Sequence, residues 1–333
     1  MANPQISRKP TRNLALELAR VTEAAALAAG RQMGRGDKVA ADKAAVDAMR
    51  LVLNTIEING VIVIGEGEKD NAPMLFNGEH VGAGGNSPEV DIAVDPVDGT
   101  RPLANGYMNA ISTVAIAPRG TMYNPGPFVY MNKIAVGPEA RGLIDIEAPM
   151  AQNLAAIAKA REKHVEDLTA IILDRPRNEE IISQVRKCGA RIRLIPDGDV
   201  AAALMTAWPD SGIDVLLGIG GTPEGVVGAC GLRGMGGEIQ GKFWPRNDGE
   251  LQTAMDMGYD PDEVLTLEKL IASEDVFFAA TGVTDGELLR GVKYTGTGAR
   301  TDSLVVRGLT GTVREIISTH RWDKLNRLSA IKY

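Results

Sequence analysis

The chain of 333 residues is long enough for two packed lobes; 44% hydrophobic and 24% charged residues, with many glycines and few aromatics, indicate an α/β or α+β enzyme rather than a coiled or disordered protein. A net charge of −7 and a pI near 5.2 argue against nucleic acid or an anionic membrane surface as the main partner, so an anionic substrate needs local cations or a metal. No window approaches the roughly 20 apolar residues of a membrane span, and Met1 to Pro10 lacks the apolar core of a signal peptide, which reads as a cytoplasmic protein.

Residues 11–33 carry Leu14, Leu18, Val21, Ala25 and Leu27 at helical spacing, which predicts an amphipathic helix. Gly34-Arg35-Gly36-Asp37-Lys38 breaks it, and residues 42–54 resume the periodicity, placing Asp42 in the first turn of a second helix. By default Asp42 there complements the helix dipole, and Lys38 is a solvated charge unless an anion lies beyond the glycine turn. Residues 60–64 then predict a buried strand opening into Gly65-Glu66-Gly67-Glu68-Lys69-Asp70. Acids so concentrated at a sheet edge cost energy unless a positive group such as a metal ion neutralises them; the alternative is a solvated hairpin tip.

Residues 90–94 predict a strand ending at Asp95, where Pro96 forces a turn. Asp95 and Asp98 are thereby delivered to a strand end, and Gly99 lets the backbone approach a ligand before the Thr100 hydroxyl. Such a pair suits a hard divalent cation and whatever anion it holds, the alternative being an ordinary Asp-Pro and Asp-Gly turn. Strands over 111–117, 128–136 and 142–146 and a helix over 150–163 follow, with Tyr130 a strand aromatic and a lobe boundary within 150–166.

The second half alternates strand and helix: 168–173, 179–188, 191–195, 200–207 and 213–217. Its strand-to-helix turns carry Asp174-Arg175-Pro176-Arg177, then Pro196-Asp197-Gly198-Asp199, then Gly218 to Gly225 with Glu224, where open α/β sheets bind ligands. Arg175 and Arg177 suit a phosphate or are surface charge. Asp197 and Asp199 either cap the following helix or accept sugar hydroxyls. The Gly-rich loop before Glu224 lacks a P-loop lysine, and tight packing is its default explanation. Residues 234–257 yield little chemistry, and strands over 275–280 and 301–307 and a short β-like run over 312–319 close the chain. Cys188 and Cys230 read as reduced thiols, and the scattered His80, His164 and His320 support no imidazole zinc site.

Together the Arg35-Gly36-Asp37-Lys38 turn, Ile64-Gly65-Glu66-Gly67-Glu68, Asp95-Pro96-Val97-Asp98-Gly99-Thr100-Arg101, Ile195-Pro196-Asp197-Gly198-Asp199 and Gly220-Gly221-Thr222-Pro223-Glu224-Gly225 resemble, in order, the class II fructose-1,6-bisphosphatases of the lithium-sensitive phosphatase superfamily. Many bacterial members carry Glu where Asp98 stands; the Asp version is similar to the cyanobacterial type that also accepts sedoheptulose-1,7-bisphosphate. The resemblance implies a layered αβαβα sandwich of the sugar phosphatase type in two lobes, a metal-binding one over 1–165 and a substrate-binding one over 166–333. It implies hydrolysis of the 1-phosphate of both sugars in the Calvin cycle or gluconeogenesis. The metal ligands it implies are Asp42, Glu66, Asp95, Asp98 and Glu224, and all-oxygen ligation selects Mg2+ or Mn2+.

Substrate contacts are implied at Asp98, Gly99, Thr100, Tyr130, Arg175, Pro176, Arg177, Asp197, Gly198 and Asp199, and catalytic help from Lys38, Asp70 and Thr100. A homotetramer, and AMP as an inhibitor bound between subunits near the first helix, extend the same expectation. The competing readings are an inositol-type monophosphatase, which needs no second cationic pocket, and a sugar-phosphate or nucleotide sensor without turnover.

Overall fold

Hydrophobic periodicity of two kinds, helical and alternating, resolves into two mixed sheets and the helices that cover them. A computed structural model of the chain describes residues 14–66, 75–328 and 331. Its first part runs α1 (Ala15–Ala29), α2 (Lys38–Leu53), β1 (Asn59–Ile64), β2 (His80–Val81), β3 (Glu89–Asp98), α3 (Thr100–Asn105), β4 (Ile111–Pro118) and β5 (Tyr130–Val136). The middle runs α4 (Met150–Ala160), β6 (Thr169–Leu173), α5 (Glu179–Lys187), β7 (Arg191–Ile195), α6 (Asp199–Met205), β8 (Val215–Gly221) and α7 (Thr222–Met235). The remainder runs β9 (Glu238–Phe243), α8 (Asp248–Asp256), β10 (Val264–Leu265), α9 (Leu267–Leu270), β11 (Phe277–Gly282), β12 (Lys293–Tyr294), β13 (Gly298–Arg307), β14 (Thr312–Arg321) and α10 (Trp322–Leu328).

The first sheet has the path β12-β13-β11-β4-β3-β1-β2, with β14 paired to β13; the second has the order β10-β9-β5-β8-β6-β7. Both mix parallel and antiparallel pairs. The lobe boundary expected near residue 165 is not a sheet boundary. Strand β5 belongs to the second sheet, and β11 to β14 return to the first.

Three apolar cores account for the stacking. Leu18, Val21 and Ala25 of α1 and Met49 of α2 pack with Ile92, Val114 and Val305 on one face of the first sheet. Helices α6 and α7 contribute Leu204, Val226, Ala229 and Leu232 to a core shared with Ala93 and Ala115 of the first sheet and Met131 and Leu216 of the second. On the far face of the second sheet, Leu154 and Ile157 of α4 and Val185 of α5 pack with Ile134, Ile172 and Leu217. Burying a side chain of this size is worth about 1.5–3 kcal/mol.

Three local expectations need correction. Asp37 caps α2 by accepting the Ala40 N–H at 2.9 Å, so the helix starts at Lys38 and Asp42 lies in its second turn. Strand β3 does not stop at Asp95; a bulge between Asp95 and Asp98 takes Pro96 out of the ladder and the strand continues. Residues 142–146 form no strand, and residues 234–257 contain β9 and α8. No helix among the described residues is long and apolar enough to cross a membrane.

Candidate active site

The bulge in β3 decides where the acids point. Opposite it, Asp95 pairs with Thr113 and Asp98 with Ile111, so three steps on one strand match two on the other. Residues two apart share a face of a sheet, so Asp95 and Asp98 project to the same side, the side packed by α6 and α7. Gly99 then turns the chain at φ +98°, a conformation side-chain-bearing residues avoid, and α3 begins at Thr100.

Around this strand end lies a cleft of about 660 Å³ lined by Lys38, Asp42, Glu66, Asp95, Asp98, Gly99, Thr100, Arg101, Tyr130, Asp197, Asp199 and Glu224, among others. Each implied metal-ligand residue therefore faces one cavity, although contributed by α2, the loop after β1, β3 and α7. Among the described residues no group of three acid, His or Cys side chains already meets the geometry of a closed metal cage. Like-charged carboxylates resist such convergence.

Their mutual electrostatics is nonetheless strong. Burial, then the charges of Asp98, Glu224 and Glu66, hold the Asp95 carboxyl well above the ordinary carboxylate range. Burial and Asp199 do the same to Asp98, against a backbone hydrogen bond from Ala201 N–H at 3.0 Å that favours the charged form. Glu224 is pushed up to about 7 by burial and Asp199, with Lys133 opposing. Glu224 Oε2 is buried and has no hydrogen-bond partner among the described residues. Acceptor-only oxygens in a negative, partly dry site fit a hard divalent cation, and the donor set contains neither sulfur nor imidazole.

The Thr100 hydroxyl donates to Asp42 Oδ1 at 2.8 Å, which joins the start of α3 to α2. Lys38 is exposed at the cleft wall. Asp70, expected to assist the chemistry, lies outside the described residues, as do Gly67, Glu68 and Lys69.

Of the second sheet's turns, those carrying Asp197, Asp199 and Glu224 line the same cleft from the other side, whereas Arg175 and Pro176 are not among its lining residues. Arg175 forms an ion pair with Asp197 at 3.1 Å, and burial outweighs Arg175 and Arg101 in raising the Asp197 carboxyl above its ordinary value. Arg177 donates its Nε to Ile219 O at 3.0 Å, and its guanidinium lies 4.4 Å from the Tyr130 ring centre. Tyr130 lines the acid cleft, whereas Arg177 lines a neighbouring cavity of about 440 Å³ on the α4 and α5 side. Pro176 opens the turn after Arg175, and Gly198, at φ +93°, delivers Asp199 as the first residue of α6.

A match to the family model for bacterial fructose-1,6-bisphosphatase, glpX-encoded, spans residues 12–320. The chain belongs to that family. It is accordingly a phosphoric monoester hydrolase. It is 46% identical to "Fructose-1,6-bisphosphatase 1 class 2" of Escherichia coli strain K12 over 326 residues, covering 94% of this chain and 96% of the relative. "Fructose-1,6-bisphosphatase class 2" of Shigella flexneri matches to the same extent.

Two charged residues at this phosphatase's cleft were given no role in the sequence reading, Arg101 although it closes the quoted β3-turn motif. Arg101 sits at the mouth and donates to Pro196 O at 2.6 Å. Lys133, 3% exposed, pairs with Asp199 at 2.5 Å beneath the floor. Arg101 follows directly on the Gly-Thr of the β3 turn, and that adjacency could have flagged it. Lys133 lies within a strand, where nothing local distinguishes it.

Proposed function

We propose that the chain hydrolyses the 1-phosphate ester of fructose-1,6-bisphosphate, and of sedoheptulose-1,7-bisphosphate, with Mg2+ or Mn2+ held by Asp42, Glu66, Asp95, Asp98 and Glu224. The single observation supporting this most is the meeting of acids from four separate segments at one cleft, with Glu224 Oε2 buried and lacking a hydrogen-bond partner among the described residues. A buried acceptor without a donor costs about 1–3 kcal/mol, more when charged, so such a cluster is retained for what it binds. When bound, the metal would supply Lewis-acid neutralisation of the phosphoryl oxygens.

The remaining work falls to the chain's own groups. The Thr100 hydroxyl, oriented by Asp42 Oδ1, holds the attacking water on one side of the phosphate. Asp70 takes that water's proton, and Lys38 at the cleft wall offsets phosphate charge. Asp98 is kept in place by the Ala201 N–H, and Asp197 and Asp199 accept hydrogen bonds from sugar hydroxyls. Arg175 and Arg177 bind the far phosphate, which requires Arg175 to share its charge between Asp197 and the ligand. Gly99 and Gly198 let the backbone approach the substrate without a Cβ in the way.

The stacking described above is read as the five-layer αβαβα sandwich of the sugar phosphatase type, and the assembly as a homotetramer inhibited by AMP. The deciding experiment measures phosphate release from the two bisphosphates and from inositol monophosphate, with Mg2+, with Mn2+ and with chelator. Turnover of the bisphosphates that stops with chelator supports the reading. Preference for the monophosphate, or turnover indifferent to chelator, would overturn it.

A further inference from the structure

We propose that Lys133 is a positioning residue of the phosphatase site, holding the Asp199 carboxylate where it meets the sugar and tying it to the turn that delivers Glu224. The inference rests on the bisphosphatase reading above. Lysine is seldom fully buried, and a buried ammonium persists only when paired and hydrogen-bonded. Lys133, in the middle of β5 and 3% exposed, satisfies both conditions. Its Nζ donates to Asp199 Oδ2 at 2.5 Å and to Gly221 O at 2.9 Å.

Those two bonds reach different elements. Asp199 is the first residue of α6, and Gly221 is the last residue of β8, directly before α7 and Glu224. Met131 and Ala135, two residues to either side of Lys133 on the strand, belong to the core between the sheets, so Lys133 faces the acid cluster's side. Gly220 of the neighbouring strand makes room for it. A Cβ on Gly220 would overlap the Asp199 carboxylate and stand 2.9 Å from Lys133 Cε and 3.0 Å from its Nζ. The Gly-rich stretch whose default explanation is tight packing is packed here against an ion pair.

From the other side, Asp98 Oδ2 accepts the Ala201 N–H of the same helix turn at 3.0 Å. The start of α6 is thus held by an acid of the first sheet and a lysine of the second. Removing Lys133 leaves the Asp199 carboxylate buried near Asp98 and Glu224 without its ion-pair partner. With no partner fixing its direction, the carboxylate no longer meets a sugar hydroxyl in place.

The test is a double-mutant cycle of K133M and D199N in steady-state hydrolysis of fructose-1,6-bisphosphate, with wild-type turnover in the same plates reporting on the functional reading separately. K133M is expected to raise KM about tenfold or more, with kcat changing less. In the D199N background the same substitution is expected to change KM by less than about twofold, since the group it acts through is already gone. An unchanged KM in K133M, or an equal factor in both backgrounds, overturns the proposal. If K133M alone fails to fold, K133M/D199N, which leaves no unpaired charge, decides the matter. Equality with D199N supports the role, and a further rise in KM overturns it.

Discussion

Two buried polar clusters in this molecule have opposite characters. Between α1 and the strands β11, β13 and β14, Thr22, Thr281 and Ser303 form a chain of hydroxyls linked at 2.7 and 2.8 Å. Beside it, Thr301 contacts His320 Nε2 at 2.8 Å and Glu23 Oε1 at 3.4 Å. Each hydroxyl there has a partner, and the one acid, Glu23, accepts from a hydroxyl and lies near an imidazole. In the cleft between the sheets carboxylates crowd carboxylates, and donors such as Thr100, Lys133 and the Ala201 N–H reach only some of their oxygens. Asp95, Asp98 and Glu224 bind their protons more tightly than usual, and one Glu224 oxygen lacks a hydrogen-bond partner among the described residues. A saturated network stabilises the fold and offers a ligand nothing. A cluster in which acceptors outnumber donors is stabilised by what enters it.

The comparison can be broken by substitution. The largest effect is expected from D95N: kcat/KM for the bisphosphate falls by at least roughly a hundredfold, while the unfolding midpoint in chelator stays level or rises because a crowded charge has been removed. A destabilised but active D95N would place Asp95 with the structural network instead. Next, R175A/R177A is expected to raise KM by about tenfold to a hundredfold with little change in the metal concentration needed for half activity. An unaltered KM would remove both arginines from the substrate.

The third effect is one of pH. The Glu224 carboxyl moves from an ordinary 4.5 to about 7 on folding, so the folded chain binds more protons than the unfolded chain between those values. Stability in chelator therefore falls as pH rises from about 4.5 through 7, by a few kcal/mol at most, and added divalent cation restores it. Thermal unfolding of wild type and E224Q across that range, with and without Mg2+, checks this; a slope identical in both proteins would count against Glu224 as its source. The smallest effect on activity is expected from T281V, which removes the hydroxyl between Thr22 and Ser303. It should cost about 1–3 kcal/mol of stability and leave KM and kcat near wild type.

Within a single strand the same contrast explains what was legible in the sequence. Asp91 and Asp95 both belong to β3. Asp91 is saturated by the Thr121 and Met122 N–H groups at 2.9 and 3.2 Å and by Arg119 at 3.3 Å, and is therefore structural. The local sequence marks Asp95 by the Pro96, Asp98 and Gly99 that follow it but does not show that Asp91 is saturated, because the Thr121 and Met122 N–H groups that do so lie about 30 residues along the chain. The strand-helix rhythm of the second half was readable because periodicity is local, and so were the turns carrying Arg175, Asp197 and Glu224. Pro96 misled because a bulge tolerates a proline that a regular ladder does not. Residues 142–146 misled because a short apolar run satisfies a strand pattern without finding an edge to pair with.

By itself the sequence determined the chemistry available to this protein. Acidic side chains at strand ends, glycines where the backbone must turn, and the absence of cysteine or histidine near them supply the donor types on which the proposed metal and phosphate chemistry rests. Only the tertiary structure decided the company those groups keep: the return of β11 to β14 to the first sheet, the bulge that sets Asp95 and Asp98 on one face, and the burial of Lys133 against Asp199. Residue type and spacing are local properties, whereas charge coupling and desolvation depend on distances that exist only after the sheets have packed across α6 and α7.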